Sequence, residues 1–212
     1  MENLGIYKNI GIIIFCYFLG GIPFCYIIAK ICSGRDLFKI GNKISCAANV
    51  VCNVSKFWGI VAGLLDFAKG YISYFIVLKI TDLEFIAILA GCAAVAGHNY
   101  SPYLKFSGGK GFGTTFGVFT AIYPFTLIVY GVGLVSALLL IRNRLWGFIF
   151  GFVSSGIFLW ILKGSLLYLV LVILLLIIII PKDINRSESI LANFKFRKEK
   201  KLKNLFTAFP QR

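Results

Sequence analysis

The chain alternates long apolar runs with short polar breaks, and this repetition limits what it can fold into more than any other feature. The runs cover residues 8–31, 50–78, 83–97, 114–122, 125–141, 145–162 and 165–180. A membrane-spanning helix needs about 20 predominantly apolar residues, and several runs come close to that length. Composition agrees: of 212 residues, 59% are hydrophobic and 14% are charged, whereas a soluble domain is about a quarter charged. A single water-soluble domain of this size could not bury so much apolar surface. Disorder is excluded as well, because it requires low hydrophobicity. The expected fold is an all-α membrane protein, a bundle of about seven transmembrane helices.

Local breakers refine this reading. Pro23 is expected to kink the first helix. The polar segment 33–49 follows, and Asp66 and Lys69 interrupt the second run. Tyr123-Pro124 splits residues 114–141 into two helices, because proline disfavours helix in the residue before it. Pro181 is expected to end the last helix. The run over residues 10–29 is long for a signal-peptide core and no small-x-small cleavage site follows, so it reads as a retained first helix. Residues 1–181 read as the membrane domain and 182–212 as a basic tail. That tail suits either an amphipathic helix on the lipid surface or a solvated end.

The net charge of +14 would suggest nucleic acid in a soluble protein. Here it sets topology. Seven crossings put segment 33–49, loop 98–113, turn 142–144 and the tail on one side. Of the 22 Lys and Arg residues, Lys8, Lys79 and Lys163 lie on the other side and Lys69 within a helix. The positive-inside rule then places the N-terminus outside and the C-terminus in the cytoplasm. The expected surroundings are membrane lipid, without nucleic acid. Six cysteines with no CxxC pair and a single histidine argue against a metal site or a disulfide framework. They read as small packing residues.

The strongest local signal is Gly97-His98-Asn99-Tyr100-Ser101-Pro102-Tyr103-Leu104-Lys105-Phe106-Ser107-Gly108-Gly109-Lys110-Gly111-Phe112-Gly113-Thr114. Its glycines permit close backbone approach, and successive free N–H groups would make an anion-binding nest. The helix that follows offers its N-terminus to the same anion. Lys110 adds a charge, and Thr114 can cap the helix or donate a hydroxyl hydrogen bond. This describes a phosphate cradle, although a glycine-rich connection between helices also serves as a plain turn. The loop lacks the GxxxxGK[ST] pattern of a Walker A motif. His98 is either a structural hydrogen-bonder or a catalytic group. Asp66 and Lys69, three apart, share a helix face. They form either a mutual ion pair that fixes packing or a wall of the active-site cleft.

The GHxxxPxLxFxGGKGxxT string, the LLDxxKG string at residues 64–70, and Gly20-Gly21-Ile22-Pro23 against a GSIP motif resemble the bacterial acyl-phosphate:glycerol-3-phosphate acyltransferases, the PlsY family. The resemblance spans about residues 10–180. It implies transfer of a fatty acyl group from acyl phosphate to the 1-hydroxyl of glycerol 3-phosphate, giving lysophosphatidic acid for phospholipid synthesis. No metal, cofactor or acyl-carrier protein is implied, and the substrate phosphate itself can act as base. The implied setting is a multi-pass protein of the bacterial inner membrane with a cytoplasm-facing site. The implied catalytic residues are His98 and Lys110. Gly41, Asn49, Gly108, Gly109, Gly111 and Thr114 are implied to bind substrate.

Two further motifs of that family differ here. Its GSGNxGATNxxR stretch falls on residues 41–52, where Gly41, Ala47 and Asn49 match, while Asn42, Lys43, Ile44, Cys46, Ala48 and Cys52 replace Ser, Gly, Asn, Gly, Thr and Arg. Its third motif, rich in His, Asn, Arg, Gly and Glu, finds no clear register near residues 185–193. These departures keep two alternatives open: a non-catalytic paralogue that binds lipid or a partner, and an unrelated small transporter. Transporters often carry internal repeats, and none is evident.

Overall fold

A computed structural model describes residues 2–182 and consists of helices joined by turns, with no strand among the described residues. The expectations for the tail and for the third motif fall on residues outside that range. The helices are α1 (Glu2–Gly21), α2 (Phe24–Ser33), α3 (Ala47–Asn53), α4 (Lys56–Thr81), α5 (Glu84–Asn99), α6 (Phe112–Ile122), α7 (Thr126–Ile141) and α8 (Arg144–Lys163). A ninth among the described residues, α9, runs over Leu167–Lys182. Contacts divide the chain into one unit of Met1–Ile179 and a second of Ile180–Arg212.

Several expected helices are placed differently. Pro23 breaks the first helix rather than kinking it: α1 stops at Gly21 and α2 begins at Phe24, because proline has no N–H to continue the ladder. The 50–78 run is also two helices. Ser55 caps the second by accepting from the Trp58 N–H at 3.5 Å. The split at Pro124 is present between α6 and α7. Pro181 lies within α9, which runs to Lys182, the last of the described residues.

Three helical segments are long and apolar enough to cross a membrane by length and composition: Gly5–Ser33, which takes in the break between α1 and α2, Lys56–Thr81 and Leu145–Lys163. Three shorter apolar helices accompany them. At 11 residues, α6 rises only about 16 Å, roughly half the hydrocarbon thickness. The outward faces are strongly apolar, with Leu140 84% and Ile31 79% exposed. A surface of that kind suits lipid rather than water.

α4 is the hub of the bundle, packing on α6, α5, α3, α2 and α1, while α1 packs on α5 and α7 on α8. Small residues let these helices approach closely. A Cβ on Gly70 of α4 would overlap the Thr114 carbonyl of α6, and one on Gly117 of α6 would overlap the Phe67 carbonyl of α4. Gly20 and Gly97 bring α1 against α5 in the same way. These contacts carry the end of α5 and the start of α6 to the middle of α4, where the polar residues sit.

Candidate active site

The helix break at residues 22–23 strips the preceding carbonyls of helical donors, and in an apolar surround each must find another. The Ser101 hydroxyl donates to the Gly21 carbonyl at 2.6 Å, and Lys69 Nζ donates to the Ile22 carbonyl at 3.0 Å. Lys69 lies 2.9 Å from Asp66 Oδ1 and 5.7 Å above the Phe24 ring. Asp66 Oδ1 is 3.4 Å from His98 Nδ1, and its Oδ2 accepts from Cys25 Sγ at 3.1 Å. Asp66, Lys69 and His98 are all buried. Isolated charges there would be very costly, so their mutual pairing is what makes the burial tolerable. The two readings of Asp66 and Lys69 coexist: they form an ion pair, and with His98 they line a small cleft against the break. Cys25 reads from sequence as a packing residue, yet it lines the same cleft and donates to Asp66 Oδ2.

The glycine-rich loop is more tightly tied than a nest of free amides. The Gly108 N–H donates to the Asn99 carbonyl and the Gly109 N–H to the His98 carbonyl, both at 3.0 Å. The loop thus folds back on the last turn of α5, and a Cβ at Gly109 would overlap His98 Nε2. Gly108 and Gly109 line the cleft and offer close approach rather than N–H donors. His98 and Asn99 belong to α5, and the loop proper begins at Tyr100. Asn99 Nδ2 also donates to the Ile178 carbonyl of α9 at 3.3 Å.

The donors left for an anion are those of the α6 N-terminus, where the first turn has no intrahelical acceptors. Gly111 is its N-cap at φ 83°, without a side-chain cap bond. From sequence, Thr114 either caps the helix or donates a hydroxyl hydrogen bond, and the first of these is not what the fold shows. Because α6 starts two residues earlier, at Phe112, Thr114 lies inside it, fully buried, its hydroxyl without a hydrogen-bond partner among the described residues. Lys110, partly exposed, stands immediately before this helix.

Segment 34–46 is held by Asn49. Its amide donates to the carbonyls of Leu37 (3.1 Å), Ile40 (3.2 Å) and Ile44 (2.9 Å), and its Oδ1 accepts from Asn53 Nδ2 at 2.9 Å. A Cβ on Gly41 would overlap Asn49 Oδ1. Asn49 thus braces the segment, with Gly41 close against it, and neither residue is among those lining the cleft. Sequence reading missed Ser45, Ser101 and Cys25, all of which line the cleft. Ser101 stood within the quoted string. Ser45 and Cys25 carried no local signal, since only the tertiary fold brings them to Asp66. Among the described residues, no group of three or more His, Cys, Asp or Glu is placed to hold a metal ion.

The glycerol-3-phosphate acyltransferase family model matches residues 10–191. A glycerol-3-phosphate acyltransferase of Thermosipho melanesiensis is 45% identical over 56% of this chain and 58% of its own length. One of Aquifex aeolicus is 33% identical over 76% of this chain and 90% of its own. A crystal structure of PlsY, an integral membrane glycerol 3-phosphate acyltransferase in its glycerol 3-phosphate form, superposes with a TM-score of 0.74 at 29% identity, covering 88% of this chain and 93% of that one. Its lysophosphatidic acid form gives 0.73 at 27% identity, with the same coverage. These likenesses lend no support to a non-catalytic paralogue. The chain, an integral membrane helical protein, belongs to the glycerol-3-phosphate acyltransferase family.

Proposed function

We propose that this chain, as a glycerol-3-phosphate acyltransferase, takes its acyl group from an acyl phosphate and works at the cytoplasmic face of the bacterial inner membrane. The observation that carries the proposal is the juxtaposition of the buried Asp66–Lys69–His98 cluster with the glycine loop that leads into Lys110 and α6. A helix N-terminus beside a lysine attracts phosphate. The acceptor hydroxyl oxygen bonds to the acyl carbon, and the bond from that carbon to the phosphate oxygen breaks. The phosphate departs with the electron pair, and the hydroxyl proton ends on phosphate. Phosphate is a good leaving group, so positioning and charge stabilisation supply most of the catalysis.

Lys110 is assigned to the phosphate charge and His98 to the reacting groups. Gly108, Gly109 and Gly111 let the backbone come close to substrate, and Thr114 is a buried hydroxyl at the same helix start. Gly41 and Asn49 contribute by holding segment 34–46. Seven crossings with the N-terminus outside are supported by the clustering of Lys and Arg in the segments assigned to one side. On this reading residues 1–181 are the membrane domain and 182–212 a basic cytoplasmic tail.

The test is acyl transfer by the purified protein to labelled glycerol 3-phosphate, with acyl phosphate, acyl-carrier protein and acyl-coenzyme A as rival donors. Lysophosphatidic acid is expected from acyl phosphate alone. Turnover with a thioester but not with acyl phosphate would overturn the donor assignment.

A further inference from the structure

Six polar side chains line the cleft, and five of them are engaged within the protein. Asp66 and Lys69 pair at 2.9 Å, Cys25 donates to Asp66 at 3.1 Å, and Ser101 donates to the Gly21 carbonyl at 2.6 Å. His98 packs against Gly109, with Asp66 3.4 Å away. The sixth, Ser45, differs. It is 3% exposed, and its hydroxyl makes no hydrogen bond among the described residues. Nor is its oxygen sealed in, as the unpartnered hydroxyls of Thr114, Thr115 and Thr126 are. What surface it keeps opens on the cleft. A buried hydroxyl without a partner is costly, which points to a ligand that supplies one. The position is fixed: the Ile44 N–H before it donates to Asn42 Oδ1 at 3.1 Å, and the Cys46 N–H after it donates to the Ile44 carbonyl at 3.0 Å. A Cβ on Gly109 would lie 2.7 Å from the Ser45 carbonyl, so segment 34–46 meets the glycine loop at this residue. In the family string residue 45 falls at an unspecified position, while the Ser and Thr of that string are Asn42 and Ala48 here. Ser45 is this chain's own hydroxyl.

We infer that Ser45 is a specificity residue whose hydroxyl binds the 2-hydroxyl of glycerol 3-phosphate. The inference rests on the acyltransferase reading for its ligand. The two full charges of the wall, Asp66 and Lys69, offset each other, so this wall favours a neutral polar group over a second anion. A hydroxyl donates and accepts at once, which suits another hydroxyl. The reacting 1-hydroxyl must face the acyl phosphate, where its proton goes. The 2-hydroxyl is the one left to meet the wall.

The probe is propane-1,3-diol monophosphate, which is glycerol 3-phosphate without its 2-hydroxyl. Competition with labelled glycerol 3-phosphate on the purified, detergent-solubilised protein gives both affinities, and turnover with acyl phosphate gives both KM values. The wild type is expected to bind the deoxy analogue about 3- to 10-fold more weakly, the scale of one neutral hydrogen bond. Ser45→Ala is expected to weaken glycerol 3-phosphate by the same factor while the analogue and the KM for acyl phosphate hold, which brings the ratio to about one. Its unfolding midpoint should hold as well, because the hydroxyl removed has no partner within the described residues. A wild type that does not tell the two ligands apart overturns the inference without any variant being needed. So does a ratio unchanged in Ser45→Ala, or an equal loss on both ligands, the mark of a merely structural role. A wild type that shows the binding ratio without turnover breaks the acyltransferase reading and leaves the role of Ser45 standing. Turnover without the ratio breaks the inference alone, and binding of neither ligand overturns both.

Discussion

Residues 97–114 and residues 41–52 both carry strings that resemble one enzyme family, yet the fold uses them differently. The first keeps the family string and brings its side chains and glycines to the cleft, with His98 facing Asp66 and Gly108 and Gly109 in the wall. The second departs from the family string and still keeps a compact backbone. Asn49 gathers three carbonyls, and Lys43 adopts φ 56° where the family string has glycine. A motif can thus be kept for what its side chains touch or for the shape its backbone takes, and the two tolerate substitution differently. Groups that face substrate cannot be exchanged without loss of chemistry, whereas a brace survives when one or two hydrogen-bonding residues persist.

This comparison can be broken most directly at Lys110. Lys110→Ala is expected to lower kcat/KM by about 10²-fold or more, the scale for losing one charge-stabilising group, with the thermal unfolding midpoint held. A variant that loses stability and keeps turnover would show the 97–114 region to be a brace after all. Asn49→Leu should do the reverse. It removes the two N–H donors that the buried carbonyls of Leu37 and Ile44 share, and each carbonyl left unpaired costs about 1–3 kcal/mol, so the unfolding midpoint falls and the remaining folded protein keeps its KM for glycerol 3-phosphate. A raised KM at unchanged stability would return Asn49 to the substrate.

Gly70→Ala tests how the two regions share α4. The added methyl meets the Thr114 carbonyl, and overpacking of this kind costs about 1–3 kcal/mol. Displacement of the α6 start should lower kcat/KM along with stability, to be read by calorimetry and assay on the same sample. The smallest expected effect is Lys43→Gly. Relief of a left-handed conformation at a residue bearing a Cβ should change stability by no more than about 1 kcal/mol. Activity is retained in that variant if residue 43 acts through the backbone alone.

Much of this could be read from the sequence. Apolar runs and the scarcity of charge determined an all-helical membrane protein, since a bilayer leaves a backbone few other ways to satisfy its polar groups. The glycine–lysine string and the Asp66–Lys69 pair were visible as local patterns, because three-residue spacing along a helix and glycine clusters are properties of neighbouring residues. What escaped was any relation between distant segments. The break at Pro23 became an anchor for Lys69 across 47 residues of sequence. Cys25 became the second donor to Asp66, and the amides of Gly108 and Gly109 went to the end of α5 instead of to an anion.

The division has a physical cause. Period, hydropathy and turn chemistry act between residues close in sequence, and the chain therefore states them openly. Which carbonyl takes a donor, and which face of a histidine meets a carboxylate, depends on how closely the helices can approach. Here that was settled by the places where glycines, at 20, 70, 97 and 117, remove the Cβ that would hold them apart.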